Sequence, residues 1–142
     1  MTTFIKSGIV FGICALLMVS SVVNGQGKDK KKAPNIVGNY TFVGNEGGDD
    51  YTGTGTITAH GDAFKVSLTT TSEKNEAGGH DIETGIGILT GRILSVSWVF
   101  DANDSKGIAV FRLSKDDKKL VGKWAYFGGE GKLFTETLTK VE

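Results

Sequence analysis

A single acidic side chain near the end of the chain offers the clearest chemistry in this sequence. Glu136 lies in the last predicted strand, and if Phe134 and Leu138 point inward, the two-residue period of a strand carries Glu136 inward as well. A carboxylate inside a barrel could anchor the amine of a ligand or pair with Arg112. The opposite orientation of the strand would expose Glu136 to solvent, and the sequence does not decide between the two orientations.

Aromatic side chains form the second set of candidates. The predicted inward faces of the later strands carry both tryptophans of the chain. Side chains of this kind line apolar pockets with few polar anchors, but they also form ordinary cores. We expect most of them to be core, with one end of the barrel open. The candidate ligand-binding residues are Tyr40, Trp98, Trp124, Tyr126 and Glu136.

Histidines and acidic turns give little support for catalysis or metal binding. The chain has two histidines, and they do not stand at metal-ligand spacing. His60 lies in a predicted turn, while His80 precedes Asp81 and Glu83 in a group more typical of a solvated turn than of an acid–base site. The acidic segment at residues 45–50 is expected to be a surface turn rather than a calcium site. We therefore expect no enzyme activity, no cofactor and no metal.

These candidates must be positioned by β-strands. From residue 35 onward the chain alternates apolar and polar residues, and clusters of Gly, Asp and Asn separate the alternating segments. β-branched residues dominate these segments, and no helical period interrupts them. The pattern predicts eight strands, at residues 35–43, 51–59, 63–71, 80–89, 92–100, 108–113, 119–127 and 132–141.

The short connections decide how these strands are arranged. Neighbouring strands joined by short turns pair antiparallel, and a meander has two open edges unless its first strand pairs with its last. With eight strands, a barrel is just filled by its side chains or holds one small ligand. We predict an all-β, eight-stranded antiparallel up-and-down meander barrel over residues 34–142, with a two-sheet β-sandwich as the alternative.

Three short motifs occur in an order known from other barrels. Gly38-Asn39-Tyr40 looks like a Gly-x-aromatic opening strand, and residues 94–98 and 122–124 look like tryptophan-bearing later strands. With these motifs the chain resembles the calycins, the group of avidin-like and lipocalin-like barrels, and also small exported bacterial domains of unassigned function. The resemblance implies the fold. It does not imply biotin, because Thr41, Phe42 and Val43 follow Tyr40, where avidins need polar groups just after the first aromatic residue and in the following turn.

The N-terminus has the features of an export signal. Lys6 precedes an uncharged, mostly apolar run at residues 9–23, which is shorter than the roughly 20 residues that span a bilayer. We predict a signal peptide at residues 1–25, a basic disordered linker at residues 26–33, and a secreted or periplasmic protein with no membrane span after cleavage. A retained N-terminal anchor is the alternative.

Charge and composition narrow the class of partner. The chain has 16 basic and 16 acidic residues, which argues against nucleic-acid binding. We predict an exported binding module that holds a small, partly apolar ligand at one end of the barrel. The alternative is a filled barrel that binds a surface or a protein partner and has no small-molecule ligand. Asn39 and Asn103 match the glycosylation sequon, which matters only in a eukaryotic host.

Overall fold

The computed structural model describes residues 34–71 and 81–142. The predicted signal peptide, the predicted linker and His80 lie outside the described residues. Within them the chain forms strands joined by turns: β1 (Gly38–Glu46), β2 (Asp49–His60), β3 (Ala63–Thr70), β4 (Ile82–Thr90), β5 (Ile93–Phe100), β6 (Lys106–Leu113), β7 (Lys119–Tyr126) and β8 (Phe134–Lys140). No helix long and apolar enough to cross a membrane occurs in this part of the chain.

The strands close into one barrel. Each strand pairs antiparallel with its neighbours in sequence, and β1 also pairs with β8, with Thr41 opposite Thr139 and Phe42 opposite Leu138. This closure removes both sheet edges, so that no row of backbone donors and acceptors is left unpaired. The predicted up-and-down barrel is confirmed, and the alternative two-sheet sandwich is wrong.

Alternation along each strand separates the core from the outer surface. In β6, for example, Phe111 and Leu113 are buried, while Val110 and Arg112, which alternate with them, are exposed. The inward faces of all eight strands meet in one apolar cluster. Its largest fully buried side chains are Tyr40, Ile36, Ile57, Leu94, Leu120, Leu138 and Val96. The period-two pattern therefore produces a continuous core inside the barrel.

The first hairpin is longer than the sequence predicted. β1 begins at Gly38 instead of residue 35 and continues to Glu46, so residues 44–50 are not a loop. The turn consists of Gly47 and Gly48, with φ of 69° and 116°. Positive φ at both positions suits a tight two-residue hairpin, whose twist matches that of the strands. The acidic segment is thus the end of a hairpin, where the Asn45 side-chain amide donates to Asp50 Oδ1 at 2.7 Å.

Two glycines make room for large rings inside the barrel. A Cβ on Gly107 would lie 2.1 Å from Cζ2 of Trp98, and a Cβ on Gly53 would lie 2.3 Å from Cζ of Phe42. Both distances are far below van der Waals contact. Gly53 lies within a predicted strand, whereas Gly107 lies between two predicted strands and belongs to β6 in the structure. Both rings can therefore lie flat over a neighbouring strand.

The two ends of the barrel differ. At the end where β1 begins, Ile36 is fully buried, and the Tyr40 hydroxyl donates to its carbonyl oxygen at 2.6 Å. Arg92 ties the turns at this end together by donating to the Leu113 carbonyl and pairing with Asp117. We call this the closed end. The opposite end, where β1, β3, β5 and β7 end and β2, β4, β6 and β8 begin, we call the open end.

Candidate functional site

A cavity of about 130 Å³ lies inside the barrel at the open end. Strands from all around the barrel contribute to its wall, because every second residue of each strand points inward. Its aromatic wall is formed by Phe42, Tyr51, Phe100, Trp124 and Tyr126. Its acidic side chains are Glu46, Asp81, Glu83 and Glu136. The cavity therefore combines flat apolar surfaces with several carboxyl groups.

A chain of hydrogen bonds crosses the cavity wall from an indole to a carboxyl group. Trp124 Nε1 donates to the hydroxyl oxygen of Tyr51 at 2.8 Å, and the Tyr51 hydroxyl donates to Glu136 Oε1 at 3.2 Å. The phenol is thus both acceptor and donor, and its proton points to the carboxylate. This relay fixes the position of one carboxylate oxygen and leaves the other directed elsewhere.

The barrel register explains why the relay can form. Gly44 is on β1, which lies between β2 and β8. It is paired with Tyr51 on β2 and with Glu136 on β8. A Cβ on Gly44 would lie 2.1 Å from Cζ of Tyr51. Because Gly44 has no side chain, the Tyr51 ring crosses over it and reaches Glu136. Closure of the barrel between β1 and β8 therefore assembles this part of the site.

Glu136 is a buried carboxyl group. Its side chain is only 6% exposed, and it points inward, which decides between the two orientations that the sequence left open. Burial raises its pKa to about 7, and the hydrogen bond from Tyr51 opposes part of that increase. Pairing with Arg112 is wrong, because Arg112 lies on the outer face of β6.

Glu83 is a second inward-facing carboxyl group. It lies in the predicted strand at residues 80–89, but the sequence analysis grouped it with His80 and Asp81 as typical of a solvated turn. It is half-buried on β4, two residues before the buried Gly85 on the same face. Burial, and then the negative charge of Glu136, raise its pKa to about 8. The signal that could have found it is the spacing of Glu83, Gly85 and Gly87, which share one face of a strand.

The acidic side chains of the cavity also raise the pKa values of the phenols in the aromatic wall. The Tyr126 hydroxyl lies 3.5 Å from Glu46 Oε2. Burial, together with the charge of Glu46, raises the pKa of Tyr126 to about 12, so the phenol keeps its proton at neutral pH. Tyr51 likewise has a raised pKa, caused by burial and then by the charge of Glu136. Both phenols can therefore donate hydrogen bonds into an acidic environment.

The structure brings three of the five candidate residues to the cavity. Trp124, Tyr126 and Glu136 line it. Trp98 packs behind this wall, with its ring centroid 5.6 Å from that of Trp124, and its buried indole N–H finds no acceptor among the described residues. Tyr40 is directed to the closed end, where burial and then the charge of Asp117 raise its pKa to about 12.

Among the cavity residues that the candidate set lacked are Tyr51 and Glu83. Nothing local in the sequence distinguishes Tyr51 from an aromatic residue of the core. Across residues 34–71 and 81–142, no group of three His, Cys, Asp or Glu side chains is arranged to hold a metal ion. The site offers hydrogen-bond acceptors, two phenol hydroxyls and aromatic faces.

Comparison with known proteins adds no relative to this picture. No protein-family model matches the chain, and no curated protein has a similar sequence. The closed, antiparallel, eight-stranded barrel is compatible with a calycin-like fold.

Proposed function

We propose that this protein is a binding module that holds a small, partly apolar ligand in the cavity at the open end of its barrel. The observation that carries the proposal is the cavity of about 130 Å³ with an aromatic wall, in a barrel whose interior is otherwise packed with buried side chains. A dry cavity of about 150 Å³ accommodates benzene, so a ligand of similar size fits here.

The proposal includes the location and the class of barrel. The signal-like N-terminus supports export to a secreted or periplasmic location, and the motif order together with the barrel topology supports a calycin-like type. The protein binds its ligand without transforming it. The aromatic wall provides most of the contact area, and the polar groups of Tyr51 and Glu136 orient the ligand.

Native mass spectrometry of the mature protein, purified from its own exported fraction, tests this function. We expect a discrete additional mass that is lost on denaturation. The variant Thr70→Trp places a large ring at the cavity wall and should remove the additional mass. Thr135→Trp, a matched substitution on the exposed outer face of β8, should retain it. Circular dichroism of both variants checks that the barrel is folded.

A bare monomer mass would contradict this function and support the second candidate, an interaction domain without a small ligand. The observation that favours the second candidate is on the outer surface. Ile86 and Ile108 flank Ser97 on the outer face, Ile88 lies on the same face of β4, and all three isoleucines are exposed. Apolar side chains clustered on an outer surface are a feature of protein contacts.

A further inference from the structure

We propose that the cavity selects a small organic cation, whose ammonium group is held by the carboxyl groups of Glu83 and Glu136 and whose apolar part packs against the aromatic wall. This inference rests on the proposed binding function and names the chemical class of its ligand. Four independent features of the cavity support it: its charge, an incompletely bonded carboxyl group, its aromatic wall and its size.

The charge of the cavity is of one sign. Among the described residues that line it, Glu46, Asp81, Glu83 and Glu136 are acidic and none is basic. The lysine at the neighbouring rim, Lys132, lies with its Nζ 5.5 Å from the ring centroid of Phe134. An enclosed site of one sign attracts the opposite charge, because the low dielectric around it strengthens the interaction.

Ion pairs elsewhere in the described residues differ from the environment of Glu136. Arg92 pairs with Asp117 at 2.7 Å, and Lys118 pairs with Glu142, both at the closed end. These surface carboxylates have cationic partners although solvent could stabilise them. Glu136, which solvent scarcely reaches, has no cationic partner in the part of the chain that the structure describes.

Glu136 is also incompletely hydrogen-bonded. Its Oε1 accepts from Tyr51, while no donor among residues 34–71 and 81–142 reaches Oε2. A carboxylate has about four acceptor sites, and a buried carboxylate without partners is costly. Because this side chain is more than nine-tenths buried and lines the cavity, a cation in the cavity would supply the missing counter-charge.

The raised pKa values of the two carboxyl groups reflect their burial and, for Glu83, the charge of Glu136. At neutral pH the pair retains protons, because Glu136 and Glu83 have pKa values of about 7 and about 8. A bound ammonium group would favour the ionised forms, so binding should release protons. Among the residues that the structure describes, the other ionisable groups lining the cavity are Glu46, Asp81 and the phenols of Tyr51 and Tyr126.

The aromatic wall suits the same ligand. The rings of Trp124 and Tyr126 have centroids 5.0 Å apart and planes inclined at 81°, so they form a corner. The faces of aromatic rings attract cations, and aromatic corners of this kind recognise alkylated ammonium groups. A cavity of about 130 Å³ limits the ligand to roughly the size of benzene.

Choline and 3,3-dimethylbutan-1-ol test the inference, because they have the same shape and differ in charge. Choline is permanently charged, so pH changes only the protein. Titration calorimetry on the mature protein should give choline binding at least tenfold tighter than binding of the neutral alcohol. Choline should bind more tightly at pH 8.5 than at pH 6, as Glu83 and Glu136 lose their protons, while the alcohol should show no such change.

Isosteric variants identify the groups responsible. Glu136→Gln keeps the side-chain volume and should weaken choline binding at least tenfold, while leaving binding of the alcohol unchanged. Glu142→Gln, at the closed end, removes the same net charge and should leave both affinities unchanged. Thermal unfolding of each variant checks that the barrel persists. If Glu136→Gln unfolds, Glu83→Gln replaces it with the same expected result.

The possible failures are distinguishable. Equal binding of choline and the alcohol overturns selection of a cation and leaves the proposed binding function standing. Binding of neither probe overturns the inference, and the native mass then decides the proposed function by itself. A native ligand that carries no positive charge also overturns the inference.

Discussion

Replacing Glu136 by glutamine should remove much of the pH dependence of the barrel's stability. The ordinary pKa of this carboxyl group is 4.5, and burial in the barrel raises it to about 7. Since each pKa unit corresponds to about 1.4 kcal/mol, ionising Glu136 in the folded protein costs about 3 kcal/mol relative to the unfolded chain. Glutamine has nearly the same volume and cannot ionise.

The sign of the effect follows from proton binding. Between pH 4.5 and about pH 7 the folded protein holds the Glu136 proton more tightly than the unfolded chain does. The free energy of unfolding of the wild type therefore falls as pH rises through this window. Glu83, with a pKa of about 8, extends the fall in the same direction. The stability contributed by the protonated pair is present at low pH and lost at high pH.

Urea denaturation at a series of pH values from 4 to 8.5 measures this directly. The free energy of unfolding of Glu136→Gln minus that of the wild type should rise by about 3 kcal/mol across the series. Glu142→Gln is the control, because Lys118 lowers the pKa of the exposed Glu142, and its contribution changes only at the acidic end. A difference between Glu136→Gln and the wild type that stays constant with pH would refute the assignment of Glu136 as a buried, raised-pKa group.

The remaining predictions concern the aromatic wall and the glycines beneath it. Trp124→Phe keeps an aromatic ring but removes the donor to Tyr51, so the free energy of unfolding by urea should fall by about 1 kcal/mol or more. Gly107→Ala should lower it by about 3 kcal/mol, because the added Cβ would lie 2.1 Å from the Trp98 ring. In Gly129→Ala the added Cβ would lie 3.5 Å from its nearest neighbour, so the free energy of unfolding should change by less than about 0.5 kcal/mol. Equal effects of the two glycine variants would show that Gly107 is not closely packed.

Local periodicity explains how much of the fold was predictable. Alternation along β2 and β6 is visible in the sequence, and short turns permit only antiparallel neighbours, so strand number and order follow from the sequence. The first hairpin was misplaced because Gly and Asn, the residue types at positions 44 and 45, are typical of turns. In the barrel they are held in β1 by pairing with both β2 and β8. Tertiary pairing thus overrides local preference.

The candidate site was less predictable, because its contacts are not local. The sequence alone determined which residue types could face inward, and it singled out Trp124, Tyr126 and Glu136. Only the tertiary structure decided that Tyr51 meets Glu136, a residue 85 positions away, because that contact requires closure of the barrel across Gly44. A two-residue period tells which residues share a face, but the register between distant strands decides which of them touch.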